Sequence, residues 1–272
     1  MFEAFKAWRR RRVLEHHAVP DEMWGQVVAQ LPFLLGLTAE EMQRLRERVV
    51  LFLHDKQING AGGLLLTDAM RLTIAVQACL LSLNLDPDCY DGWVEIIVYP
   101  DEFVPEYEYE DEHGLVHTVR EARSGEAWEG GPLILSWVDA AGDHGVAGYN
   151  VVIHEFAHKL DMLNGEANGF PRLHADMSRQ AWGDAFSAAY EDFCARVDAG
   201  DETELDPYAS ESPAEFFAVL SEAFFVAPQS LRAHYPAVYE QLRLFYRQNP
   251  ALREYNDGAA TGFSQARHFA AE

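Results

Sequence analysis

The sequence predicts an α+β fold, a small mixed sheet set among many helices. Two apolar runs, VEIIVYP at 94–100 and LILSWVDA at 133–140, read as buried strands. Before residue 50 and again after residue 148, apolar residues recur at helical spacing instead. Strands gathered in one stretch with helices on either side point to α+β. With 272 residues, 49% of them apolar and 12% aromatic, the chain can bury a substantial core. We divide it into an N-terminal helical extension (1–50), a main α+β unit (51–248) and a small, polar, weakly ordered tail (249–272).

The elements follow in order. Residues 1–19, basic at Arg9 to Arg12 and then His-rich, read as a solvated helical arm. Pro20 and Asp21 open a helical region that runs to about residue 49 and breaks at Gly36 and Thr38. Thr38 and Glu41 have the spacing of a capping box. FLHDKQINGAGG, 52–63, reads as strand or loop. Thr67 and Asp68 can cap a helix of about 16 residues with Met70, Ile74, Ala78 and Leu81 in its apolar stripe. Pro100 ends the first strand, and EYEYE followed by HGLVHTVRE predicts a hairpin around Gly114. The crowded carboxylates of 101–112 read as a solvated face. LILSWVDA follows as a second strand, which can offer an edge to an extended peptide, and Gly142 to Gly148 form a loop. Helices are then expected at 149–163, 181–198, 212–226 and 229–248.

Charge and cysteines exclude several classes. A net charge of −23 repels nucleic acid and anionic lipid, and favours cationic ligands. Cys79, Cys89 and Cys194 are an odd number with no CxxC pair, so neither a disulfide framework nor a thiolate metal site is expected. The basic N-terminus lacks the apolar segment of a secretory signal. The run LTIAVQACLLSLNL is too short to cross a bilayer. The expectation is a cytoplasmic protein with no membrane and no direct nucleic-acid partner.

The chemistry concentrates in VVIHEFAHKLD, 151–161. A shuffled chain of this composition shows HExxH about 4% of the time, so position has to add weight. On a helix, His154, His158 and Asp161 share one face while Val152, Phe156, Leu160 and Leu163 fill the opposite one. Imidazoles at i and i+4 can both point at one Zn²⁺. Glu155 then stands beside the ion, placed to take a proton from a water held there. Asp161 extends the same face and suits a hydrogen bond to a ligand imidazole better than a bond to metal. A catalytic zinc needs a third protein ligand. His174 is a remote candidate and Glu215, in YASESPAEFFAVLSEAFF, a stronger one. Ser212-Pro213-Ala214-Glu215 is equally a capping box, in which Glu215 would bind only the Ser212 amide. Glu222, two turns on, can be a ligand, an ion-pair partner or solvated.

The segments GGLLLTDAMRLTIAVQACLL, VEIIVYPDEF, GEAWEGGPLILSW, VVIHEFAHKLDMLNG and YASESPAEFFAVLSEAFF resemble, in order, the Mlc titration factor A family of bacterial zinc peptidases. The likeness spans about residues 50–248. That family is similar in turn to the catalytic domain of anthrax lethal factor. The resemblance implies a zincin-like fold of the gluzincin type, one Zn²⁺ per chain held by His154, His158 and Glu215, and Glu155 as general base. It also implies a role for Tyr208, whose phenol next to the metal could stabilise a developing oxyanion. Peptide substrates are implied, with an aminopeptidase-like preference, and so is a protein partner, the transcriptional repressor Mlc that the family name records. A reading from another class stays open: a regulatory binding module that sequesters a repressor, its zinc mainly structural.

Overall fold

In the computed structural model, residues 2–103, 106–110, 116–120, 123–142 and 148–253 are described. Helices α1 (Phe2–His16), α2 (Asp21–Ala29) and α3 (Ala39–Asp55) come first. The Thr38 side chain accepts from the Glu41 amide, and the Glu41 carboxylate accepts from the Thr38 amide at 2.9 Å. The predicted capping box therefore sets the start of α3. Its end differs from the expectation, because α3 continues through FLHD, where Phe52 keeps its inward helical phase. Strand β1 (Gln57–Gly60) leads into α4 (Asp68–Ser82), capped by Thr67 as expected. Every α4 residue from Leu72 to Ser82 is buried, far more than one stripe, because α4 packs between α3 and the later helices. Val13, Val19 and Trp24 join the same apolar core as the helices beyond residue 50.

Strand β2 (Glu95–Tyr99) matches the predicted run. Strands β3 (Glu106–Glu110) and β4 (Val116–Arg120) pair antiparallel, Glu106 opposite Arg120 and Glu110 opposite Val116. This is the expected hairpin, although Gly114 lies outside the described residues. Next come β5 (Gly125–Ala127), β6 (Leu133–Ser136) and a short helix α5 (Trp137–Ala141). LILSWVDA is therefore strand only in its first half. Ser136 turns the chain by accepting from the Asp139 amide as a helix cap.

The main sheet runs β1-β2-β6-β5. β1, β2 and β6 are parallel, and β5 is antiparallel to β6. LILS is thus an interior strand, not the edge proposed from sequence. The edges are β1 and, on the side of β6, the three-residue β5.

Helix α6 (Val151–Asp161) follows, then α7 (Arg179–Ala199), α8 (Pro213–Val226), α9 (Pro228–His234) and α10 (Pro236–Tyr246). The single helix expected over 229–248 is two, because Pro236 has no amide to donate and starts a new helix instead. Leu163, placed on the apolar back of α6 by sequence, falls in the 3₁₀ turn Met162–Asn164 and is 41% exposed. Residues 254–272, most of the expected tail, lie outside the described residues. Among the described residues, no helix is long and apolar enough to cross a membrane.

Two buried lysines bracket one indole. Lys56 Nζ donates to the carbonyls of Tyr90 and Trp93 and lies 3.8 Å from the Trp93 ring centroid. Lys159 Nζ lies 4.7 Å from the same centroid and donates to the carbonyls of Trp128, at 2.6 Å, and Gly131, at 2.9 Å. Burial lowers Lys56 to about 8, against the opposing pull of Asp91, Asp55 and Cys89. Burial likewise lowers Lys159 to about 8, with the Lys56 cation acting in the same direction and Glu155 against it.

The unfolded chain holds the Lys56 proton up to about pH 10.4, so between roughly pH 8 and 10.4 the unfolded state binds more protons than the folded one. Stability from this group therefore rises with pH across that window. Urea midpoints at pH 7.5 and 9.5 should climb more in the wild type than in Lys56→Met. Equal slopes in the two proteins would refute this account of Lys56.

Candidate metal centre

Helix α6 is positioned by its N-cap, Asn150. The Asn150 side chain accepts from the Ile153 amide at 2.9 Å and donates to Gln77 Oε1 at 2.7 Å. Gln77, a buried polar group inside α4, also donates to the Ala140 carbonyl at 3.1 Å. It thus joins both ends of the loop between α5 and α6. All eleven residues of α6 are buried, so the helix does not present its histidines on a solvated stripe. Its polar groups are covered, and burial without partners would be costly.

The partners come from α8. Pro213 occupies its first turn and the Ser212 hydroxyl accepts from the Glu215 amide at 3.2 Å. The Glu215 carboxylate does not fold back onto the Ser212 amide. Its Oε2 lies 2.9 Å from His154 Nε2 and 3.3 Å from His158 Nε2. The two Nε2 atoms are 3.2 Å apart, and the rings stand at 76° to each other. Among the described residues, these three form the one His, Cys, Asp or Glu group able to hold a metal ion.

The donor set fits a cation. Bonds of about 2.0–2.1 Å in tetrahedral geometry keep ligand atoms about 3.3 Å apart, close to the three separations seen. Two imidazole nitrogens and a carboxylate oxygen carry lone pairs that repel at this range unless a proton or metal lies among them. Burial would lower the His154 imidazole, but hydrogen bonds to Glu215 and Glu222 outweigh burial and raise it well above its ordinary value. Burial likewise works to raise Glu215, yet His154 and His158 hold it well below the usual carboxylate range.

Glu222, left open by sequence, is 2% exposed and grips the far side of the first imidazole: its Oε1 is 2.7 Å from His154 Nδ1. Its Oε2 accepts from the Asn150 amide. It therefore fixes which ring nitrogen faces Glu215, and it links α8 to the start of α6. The spacing of Glu215 and Glu222 carried this signal, since residues seven apart share a helix face.

Asp161 does not make the expected bond to an imidazole. Its Oδ2 accepts from the amides of Asn168, at 2.8 Å, and Gly169, at 2.6 Å, tying down the loop after α6. His174 is also elsewhere, with its Nε2 2.8 Å from the Phe245 carbonyl. Glu155 is 5% exposed, and its Oε2 is buried without a hydrogen-bond partner. Burial raises its carboxyl, against the pull of His154 and His158.

A cavity of about 340 Å³ opens over this group, lined among others by Arg123, Gly125, Leu205, Tyr208 and Val219. Tyr208 lies in the 3₁₀ turn Pro207–Ser210, its ring centroid 6.2 Å from that of His154. It is 43% exposed. Burial of its hydroxyl, with Glu215 and Glu211 nearby, pushes the phenol up, so it stays protonated and able to donate.

Two imidazoles one helical turn apart, a carboxylate from a second helix and an uncommitted carboxylate beside them define a candidate metallohydrolase centre. Comparison with known proteins agrees. A family profile described as glucose-regulated metallo-peptidase M90 matches residues 5–247, and the chain belongs to that family. It is 37% identical over 250 residues to a Mlc titration factor A of Salmonella arizonae, covering 90% of this chain and 97% of the relative. To a protein of the same description from Escherichia fergusonii it is 40% identical over 236 residues, covering 86% and 88%.

Proposed function

We propose that the protein is a zinc-dependent peptidase of the gluzincin type on a zincin-like fold, with His154, His158 and Glu215 holding one ion. The observation that supports this most directly is the convergence of those three side chains with Glu155 alongside. When bound there, zinc lowers the pKa of a coordinated water to about 7 and polarises a substrate carbonyl. Glu155 Oε2 has no competing hydrogen bond, so with the ion in place it would accept a proton from the attacking water and return it to the leaving amine. The Tyr208 hydroxyl donates to the carbonyl oxygen as negative charge builds there. Beyond Arg123, which pairs with Phe103, the outer edge of β5 meets no other strand among the described residues; it pairs with the extended main chain of the substrate, so that side chains matter less than backbone. Asp206 and Glu211 on the cavity wall favour a positively charged amino terminus, hence an aminopeptidase-like preference.

Elemental analysis paired with a peptidase assay tests this reading. One zinc per chain and hydrolysis that is lost to a chelator and restored by added zinc are the expected results. Stoichiometric metal with no turnover of any peptide would favour the second reading, for which the relatives' printed name is the support: a regulatory module that binds a repressor of the Mlc type. The two roles are compatible if the repressor docks away from the cavity. We place the protein in the cytoplasm, with the three unpaired cysteines, two of them buried, as support.

A further inference from the structure

Strand β5 ends the sheet, and Gly125 begins it. Nothing in the backbone demands glycine here, since Gly125 is not among the residues with positive φ. Space demands it. A Cβ at this position would lie 2.4 Å from Glu155 Oε1, 2.6 Å from Cγ and 2.7 Å from Cδ, all closer than real side chains tolerate. The clash reaches Cγ and Cδ as well as the carboxylate oxygen, so relief requires the Glu155 side chain to turn as a whole and not only at its tip.

The register adds a second point. The Ser136 amide donates to the Ser124 carbonyl at 2.7 Å, so Ser124 and Ser136 form a hydrogen-bonded pair. In an antiparallel ladder such pairs alternate, and Gly125, opposite Leu135, is therefore a non-bonded position. Its own N–H and C=O point away from β6, to the side on which Arg123 exchanges both backbone hydrogen bonds with Phe103; among the described residues no other strand pairs with β5 there, and Gly125 lines the cavity.

We propose that Gly125 is a positioning residue for Glu155: the bare Cα lets the edge strand rest directly on the carboxylate, so a main chain paired to that edge arrives within reach of the base. This rests on the peptidase reading above. Any side chain at 125 would either lift the strand away from α6 or turn the Glu155 carboxylate aside, and both separate base from substrate. Gly125 touches the carboxylate through its backbone alone and takes no part in the proton transfer.

The test is Gly125→Ala in the full zinc-loaded chain, in wild-type and Glu155→Ala backgrounds. In an ordinary edge strand alanine is more stable than glycine. Here the melting temperature should fall in the wild-type background, and the fall should shrink or reverse once Glu155 is truncated. Zinc content should stay at the wild-type level while kcat drops about 100-fold, the scale of a 1 Å misplacement. Equal shifts in melting temperature in the two backgrounds, or an unchanged kcat, would overturn the proposal. Should Gly125→Ala fail to fold, recovery of the fold in the double variant supports it and continued failure overturns it. If the wild type hydrolyses no peptide, the peptidase reading fails by itself, and the melting temperatures still decide whether Gly125 and Glu155 are coupled.

Discussion

Replacing Glu155 with glutamine is expected to lower kcat by about 10²–10⁴-fold, the range that loss of a positioned general base produces. The substitution is nearly isosteric, so the tight contact with Gly125 survives and the fold should hold. Metal content should also survive, because Glu155 contributes no atom to the His154, His158 and Glu215 group. The combination, full metal with little turnover, separates a base from a ligand. Full turnover of peptides by Glu155→Gln would dismiss the assignment outright. Under the alternative of a repressor-binding module, the same variant should bind its partner as well as the wild type does.

The second large effect concerns metal affinity, and it is a matter of order. Glu222→Gln leaves the three candidate ligands in place but sets an amide donor against a carboxylate position that accepts from His154 and from the Asn150 amide. Loss of such an outer partner typically costs about 10–100-fold in affinity. Glu215→Ala removes a ligand atom itself and should cost more. Competition with a chromophoric chelator measures both. An affinity for Glu215→Ala at or above that of Glu222→Gln would mean that Glu215 is no ligand, and the third position would have to be sought elsewhere.

Much of this could be read from residues alone, for reasons that differ by place. Caps were legible because they are local: Thr38 and Thr67 each satisfy amides three residues on, and no distant contact is needed. The pairing of His154 with His158 was legible because helical geometry fixes their common face. Glu215 stood evenly between a capping role and a metal role, since Ser212 fits both. The choice depends on how α8 crosses α6, which no local pattern encodes.

Strand β5 escaped notice. Three residues beginning with glycine show no alternation, and its pairing with β6 is what makes it a strand. Trp137–Ala141 misled in the opposite sense, its apolar residues continuing a strand pattern that Ser136 interrupts. The burial of α6 on every side was hidden too. Lys159 and Asp161 look like solvent-facing residues until their partners, the carbonyls of the 128–132 turn and the amides of the 168–169 loop, are brought up from elsewhere in the chain.

Lys159 has a consequence for how substrates enter. Its ammonium group nails the turn between β5 and β6 to the helix one residue past His158, so the roof strand and the floor helix travel as one rigid jaw. The facing jaw, Leu205 to Ser210, packs on α8 and is tied to α7 through the Tyr190 hydroxyl on the Ser210 carbonyl. Both walls of the cleft are therefore moored to the helices that carry His154, His158 and Glu215, and the room left for a bulky peptide is set by how α6 and α8 cross.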